Sequence, residues 1–253
     1  DEYSRAQKQA QRSYREKIMD GQYPYLPALD DWLGKTSVEA QLPLGTIEIP
    51  LELVTGTKTA GRTAAFAANF MPLLPASSEF ASKWVTLGQA HMEEGIHDPI
   101  RCYEYLGHFY VQEGNKRVSV LKYFGADSIP ATVIRIVPRY SEAPQIRMYY
   151  EFMEFYPVCG LYTLNFTQEG SYARLQKALG KAPGQAWTDD DKADVVSLLN
   201  WVKKAYYAHG GEHMHTTAAD VLLLLLRLYK LENLKAYTPG GLARAIDAIW
   251  DDV

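Results

Sequence analysis

Cysteine is scarce in this chain of 253 residues: only Cys102 and Cys159. One pair cannot form a disulfide framework, and two thiolates cannot supply a four-thiolate zinc site. Long apolar runs are missing too. The longest covers residues 221–226, far short of the roughly 20 residues a membrane-spanning helix needs. No charged and then apolar leader opens the chain, so a cytoplasmic location is expected. The first residue is Asp1, not Met, and the chain is read as a piece trimmed from a longer one. Excess charge is small. With 26 basic and 30 acidic residues the formal net charge is −4, which argues against a whole surface devoted to a polyanion but leaves room for a local basic patch. Apolar residues make up 47% and charged residues 22%; both are near the globular average, which excludes disorder and collagen-like repeats. No internal repeat is visible.

What is present reads as an α+β pattern. Residues 1–20 are polar and helix-permissive, with Tyr14 and Ile18 as the expected anchors and Gly21 as the stop. Residues 23–27 hold two prolines among aromatics and suit an extended arm. Residues 44–54 alternate as a strand. Residues 55–71 read as a long, partly irregular connection. Ser78 caps an expected helix over 79–94, with Phe80, Trp84, Leu87 and Met92 near helical spacing. Residues 100–105 and 108–113 form two strands joined at Leu106-Gly107, followed by a helix over 115–124 and a strand over 129–137. Residues 149–162 are aromatic-rich and ambiguous in pattern, with one more strand region as the reading they suggest. The rest is helical: 171–179, then a helix opened by Thr188 and three aspartates with Val195, Leu198, Leu199, Val202 and Tyr206 as its stripe, then 217–230 and 238–250. The expected organisation is an arm over 1–39, a mixed-sheet core over 40–138 and a mainly helical region over 139–253.

The sharpest segment is His108-Phe-Tyr-Val-Gln-Glu-Gly-Asn-Lys-Arg117. A strand delivers Glu113 to a glycine turn, and Asn115, Lys116 and Arg117 open a helix. Unpaired N–H groups and the positive dipole end make a helix start suited to an anion. Cations are disfavoured there, so two in succession point either to an anionic ligand or to solvated side chains on a plain turn.

This segment resembles the signature of the ParB/sulfiredoxin superfamily: strand, Gly-x-x-Arg turn, helix. The likeness continues in Glu48-Ile-Pro-Leu-Glu-Leu-Val54 with Arg62, in Glu94-Gly-Ile-His-Asp-Pro-Ile100, and in Gly125-Ala-Asp-Ser-Ile-Pro130. It covers about residues 44–137. The resemblance implies a ParB/sulfiredoxin-like core in which Gly114, Asn115, Lys116 and Arg117 cradle phosphates, with Arg62 as a second clamp and Lys58 facing the same site. It further implies a nucleotide, CTP or ATP with Mg²⁺, as ligand. Glu113 would then hold Mg²⁺ or act as a base in an NTPase or phosphotransferase. Asn115 stands where sulfiredoxins carry their reactive cysteine, so reductase chemistry is not implied. Asn115-Lys116 replaces the Glu-Arg usual in ParB proteins, which leaves the base open. A narrower likeness, through Pro24-Tyr-Leu-Pro-Ala-Leu-Asp30 and Gly56-Thr-Lys-Thr-Ala-Gly-Arg62, is to an uncharacterised group in which such a region precedes a solute-binding domain of the basic membrane protein type.

Two rival readings stand beside this one. The first is a DNA-binding or nuclease-like module. Residues 187–253 carry seven basic and ten acidic groups, whereas residues 101–140 carry six and three, so nucleic acid would prefer the core turn to the tail. The second is a catalytically silent regulatory or interaction domain. His209, His213 and His215, with Glu212, could bind a transition metal, but Gly210-Gly211 among them favours a solvated interhelical loop.

Overall fold

In the computed structural model, which describes residues 1–61 and 63–253, the alternating runs become one five-stranded mixed sheet. Its strands are β1 (Val38–Pro50), β2 (Val54–Thr57), β3 (Ile100–Tyr105), β4 (His108–Glu113) and β5 (Ser128–Pro138), in the order β1-β5-β3-β4-β2. β1 runs antiparallel to β5 and β3 to β4; β5 with β3 and β4 with β2 are parallel. Leu106 (φ 50°) and Gly107 (φ 83°) make the two-residue turn of the β3–β4 hairpin, because two positive-φ residues match the right-handed twist of the strands. The chain divides into two compact units. Asp1–Arg139 holds the sheet, and Tyr140–Val253 is entirely helical. The protein is thus α+β, with a mixed sheet, a helical N-terminal arm and an all-helical C-terminal region.

In the first unit, α1 (Glu2–Met19) is anchored differently from the sequence expectation. Ile18 is 52% exposed, while Tyr3, Ala6 and Ala10 are buried. The small side chains of Ala6 and Ala10, four apart, let the helix lie close to its neighbour, and the Tyr3 ring meets Trp84 edge-on at 5.4 Å. The arm then bridges Tyr25 to Ala67 and Ala28 to Thr57 and forms one short turn, α2 (Leu29–Trp32). β2 is a strand within what the sequence suggests is a loop. It is short, and its pairing with β4 is long-range, which local pattern does not reveal. α3 (Glu79–Glu93) starts at Ser78, whose hydroxyl accepts from the Ala81 N–H. Trp84 is buried, but Met92 is 71% exposed and lies off the packed face. α4 (Asn115–Tyr123) buries Val118 to Leu121 and packs against α3.

In the second unit, α5 (Pro144–Cys159) replaces the strand expected over 149–162. Pro144 suits a first helical position and Gly160 (φ 67°) terminates the helix in the left-handed region. Ile146, Tyr149 and Phe152 bury themselves at helical spacing. Aromatic enrichment favours strands only weakly, and packing overrides it. α6 (Ser171–Ala178) precedes α7 (Asp189–Ala208), which opens with a Thr188–Asp191 capping box and buries the five stripe residues named above. α8 (Ala218–Leu228) repeats the device with Thr217 and Asp220. Its apolar run is buried except for Leu224, which is half-buried, while Leu228 at its end is 58% exposed. α9 (Leu231–Ala236) and α10 (Pro239–Ile249) complete the unit. Among the described residues no helix is long and apolar enough to cross a membrane.

Candidate functional site

β4 ends at Glu113, and the next residue must turn the chain into α4. Gly114 does so at φ 117°, a value side chains rarely adopt. A Cβ there would also meet Ile100 Cγ2 at 2.4 Å. The position is therefore restricted to glycine twice over. The new helix opens with no acidic residue in its first turn and no side-chain cap, but with Lys116 and Arg117. α3 starts differently, with the Ser78 cap and Glu79.

Both helix starts line one cleft of about 670 Å³. α4 contributes Gly114 to Arg117. α3 contributes Glu79, Phe80, Lys83 and Leu87, and the connection after β2 contributes Phe66 and its neighbours. One side is cationic and rich in backbone N–H groups. The other is apolar, with Phe66 and Phe80 in edge contact at 5.2 Å. Lys116 Nζ lies 5.3 Å from the centre of the Phe80 ring, within cation–π range. Lys83 Nζ is 2.7 Å from Glu79 Oε1. That hydrogen bond and charge, with a smaller contribution from Lys116, hold the Glu79 carboxyl below its ordinary range.

The residues singled out from the sequence separate. Gly114, Asn115, Lys116 and Arg117 line the cleft together. Arg117 also braces the fold. Its Nη1 donates to the carbonyls of Asp98 (2.8 Å) and Pro99 (3.1 Å), pinning the chain that leads into β3. Asn115 Nδ2 donates to Thr57 Oγ1 at 3.4 Å, and that hydroxyl donates to the Val111 carbonyl at 3.0 Å. This ties the start of α4 to β2 and β4 and leaves Asn115 Oδ1 buried without a partner. Glu113 does not line the cleft. Its exposed carboxylate faces Arg101 at 3.9 Å, opposite it in the β3–β4 register. Lys58 does not line it either. It forms an ion pair with Asp30 of the arm and sits 4.9 Å from the centre of the Tyr103 ring. Arg62 lies outside the described residues.

Lys83 and Glu79 were not among the sequence candidates. On the sequence they are ordinary polar positions of an amphipathic helix, and only the packing of α3 beside α4 turns them toward the glycine turn. In the second unit, His209 stacks on Trp250 with ring centres 4.3 Å apart, and its Nε2 is 2.6 Å from Asp247 Oδ1. Among the described residues no group of histidine, cysteine, aspartate and glutamate is placed to hold a metal ion.

No protein-family model matches the chain, and no curated protein does. Among solved structures the chain is similar to the C-terminally truncated chromosome-partitioning protein ParB from Caulobacter crescentus complexed with CTP-gamma-S. The identity is 16% and the TM-score 0.26, over 80% of this chain and 98% of that one.

Proposed function

We infer that the Asp1–Arg139 unit is a ParB-like phosphate- or nucleotide-binding domain, with the anion seated between the first turns of α3 and α4. One observation carries this reading. The uncapped start of α4 and the side chains of Lys83, Lys116 and Arg117 line a cleft of about 670 Å³ with a single acid, Glu79, in its lining among the described residues. Helix starts and cations each attract phosphate, and together they attract a multiply charged one most strongly. The apolar wall of Phe66, Phe80 and Leu87 suits a flat body attached to that anion, as in a nucleotide. CTP and ATP, with Mg²⁺ as counterion, are the ligands to try. Glu113 stands outside the cleft, so the reading is one of binding. Turnover as an NTPase or phosphotransferase would be a separate property, tested by its loss in Glu113→Gln with binding retained.

The test is a thermal-shift and calorimetry panel of CTP, ATP, ADP, GTP and inorganic phosphate, with and without Mg²⁺. Lys116→Met is a better control than Arg117→Ala, because Arg117 also holds two backbone carbonyls. A ligand that stabilises the wild type and not Lys116→Met supports the reading, since binding to the native state alone raises apparent stability. Silence across the panel refutes it.

A further inference from the structure

We propose that Glu79 is a built-in competitor for the anion of this cleft: its carboxylate occupies Lys83 in the free protein and gives way only to a multiply charged phosphate. This deepens the reading of the cleft as a phosphate or nucleotide site and rests on it.

Glu79 is the only acid lining the cleft among the described residues, against Lys83, Lys116 and Arg117. It stands one turn before Lys83 on α3, at 2.7 Å. The two side chains are 81% and 59% exposed. An exposed pair of this kind contributes little to stability, so its rupture costs the fold almost nothing. The pair nonetheless lowers the cleft's net positive charge for any arriving anion. A monoanion offers Lys83 no more charge than the carboxylate already does. A diphosphate or triphosphate offers more, and it also reaches Lys116 and the first turn of α4. The exchange therefore selects ligands by charge: polyphosphates and nucleoside polyphosphates over monoanions.

A carboxylate lining a phosphate site has one other common use, as a ligand for the divalent cation that accompanies the phosphates. The two roles predict opposite signs. Calorimetry with pyrophosphate and with ATP, each with and without Mg²⁺, separates them in wild type, Glu79→Gln, Glu79→Ala and Lys116→Met. Competition predicts that both Glu79 variants bind metal-free pyrophosphate about 3- to 10-fold more tightly, the effect of removing one like charge from an exposed site. If binding is present and sensitive to Lys116→Met, but unchanged or weaker in the Glu79 variants, the competitor role is overturned and the cleft reading stands. A Mg²⁺-dependent gain that vanishes in Glu79→Gln makes Glu79 a metal ligand and likewise overturns it. No binding to wild type or to either Glu79 variant overturns the cleft reading with it. The high exposure of Glu79 keeps these variants folded, and an unchanged unfolding midpoint verifies that.

Discussion

The indole N–H of Trp84 donates to the hydroxyl of Ser119 at 2.9 Å, with both side chains buried. This bond joins the centre of α3 to the centre of α4, and so sets the spacing of the two helix starts that frame the cleft. Ser119→Ala should cost about 1–3 kcal/mol, because the indole N–H is left buried without an acceptor. Denaturant unfolding measures that cost. Ligand affinity should fall in the same variant, since the walls of the cleft lose their common tie.

Gly114→Ala combines a positive φ with a Cβ overlapping Ile100. Each is unfavourable, and the backbone strain alone is of the order of 1–3 kcal/mol. The expected outcome is a loss of at least about 2 kcal/mol in urea unfolding, with α4 displaced at its start. A Gly114→Ala protein as stable as wild type would show that the β4–α4 turn relaxes more freely than its packing suggests.

Glu104 on β3 and Arg135 on β5 are opposite one another in the parallel register, and both are buried, with Nε 3.6 Å from Oε1. Removing one member of a buried pair takes a counter-charge from a side chain that water cannot reach. Arg135→Met should therefore destabilise by about 3–5 kcal/mol. Replacing both by apolar residues should cost much less. A double-mutant cycle in guanidinium reads the coupling directly.

Lys122 sits in the last turn of α4, with Nζ 5.2 Å from the centre of the Phe70 ring. Burial lowers its pKa to about 8, and the charge of Glu52 offsets this only in part. The unfolded chain keeps an ordinary lysine near 10.5. Between about pH 8 and 10.5 the unfolded state thus binds a proton that the native state has lost, and stability from this group rises with pH. Below pH 8 both states are protonated and the cost of burying the cation is fully present. Relative to Lys122→Met, the wild type should gain on the order of 1–3 kcal/mol across that window, read from urea midpoints at each pH. The comparison with the variant matters because Cys102 and Cys159 shift the other way. Burial pushes their thiols up to about 12 and about 11, so their contribution falls as pH rises above the ordinary thiol range.

Much of the fold was legible in the chain because its punctuation is strong. Leu106-Gly107 marked the hairpin, Ser78 and Thr188 marked helix starts, and Gly125 and Gly180 marked ends. Each acts within four residues of itself, the range over which sequence and conformation are directly coupled. β2 and α5 escaped for opposite reasons. β2 is four residues long and exists through its partner β4. The composition of α5 is strand-like, yet its aromatic side chains pack at helical spacing.

That a glycine turn would present Asn115, Lys116 and Arg117 at a helix start followed from the order of residues alone, because strand, glycine and helix are contiguous there. What faces that start was settled by packing. Lys83 and Glu79 entered the cleft from a helix more than twenty residues away, while Glu113 and Lys58 turned to Arg101 and Asp30. The physical reason is range. A turn is decided by backbone geometry among neighbours, whereas the charge balance of a cleft is decided by side chains that only tertiary contacts bring together.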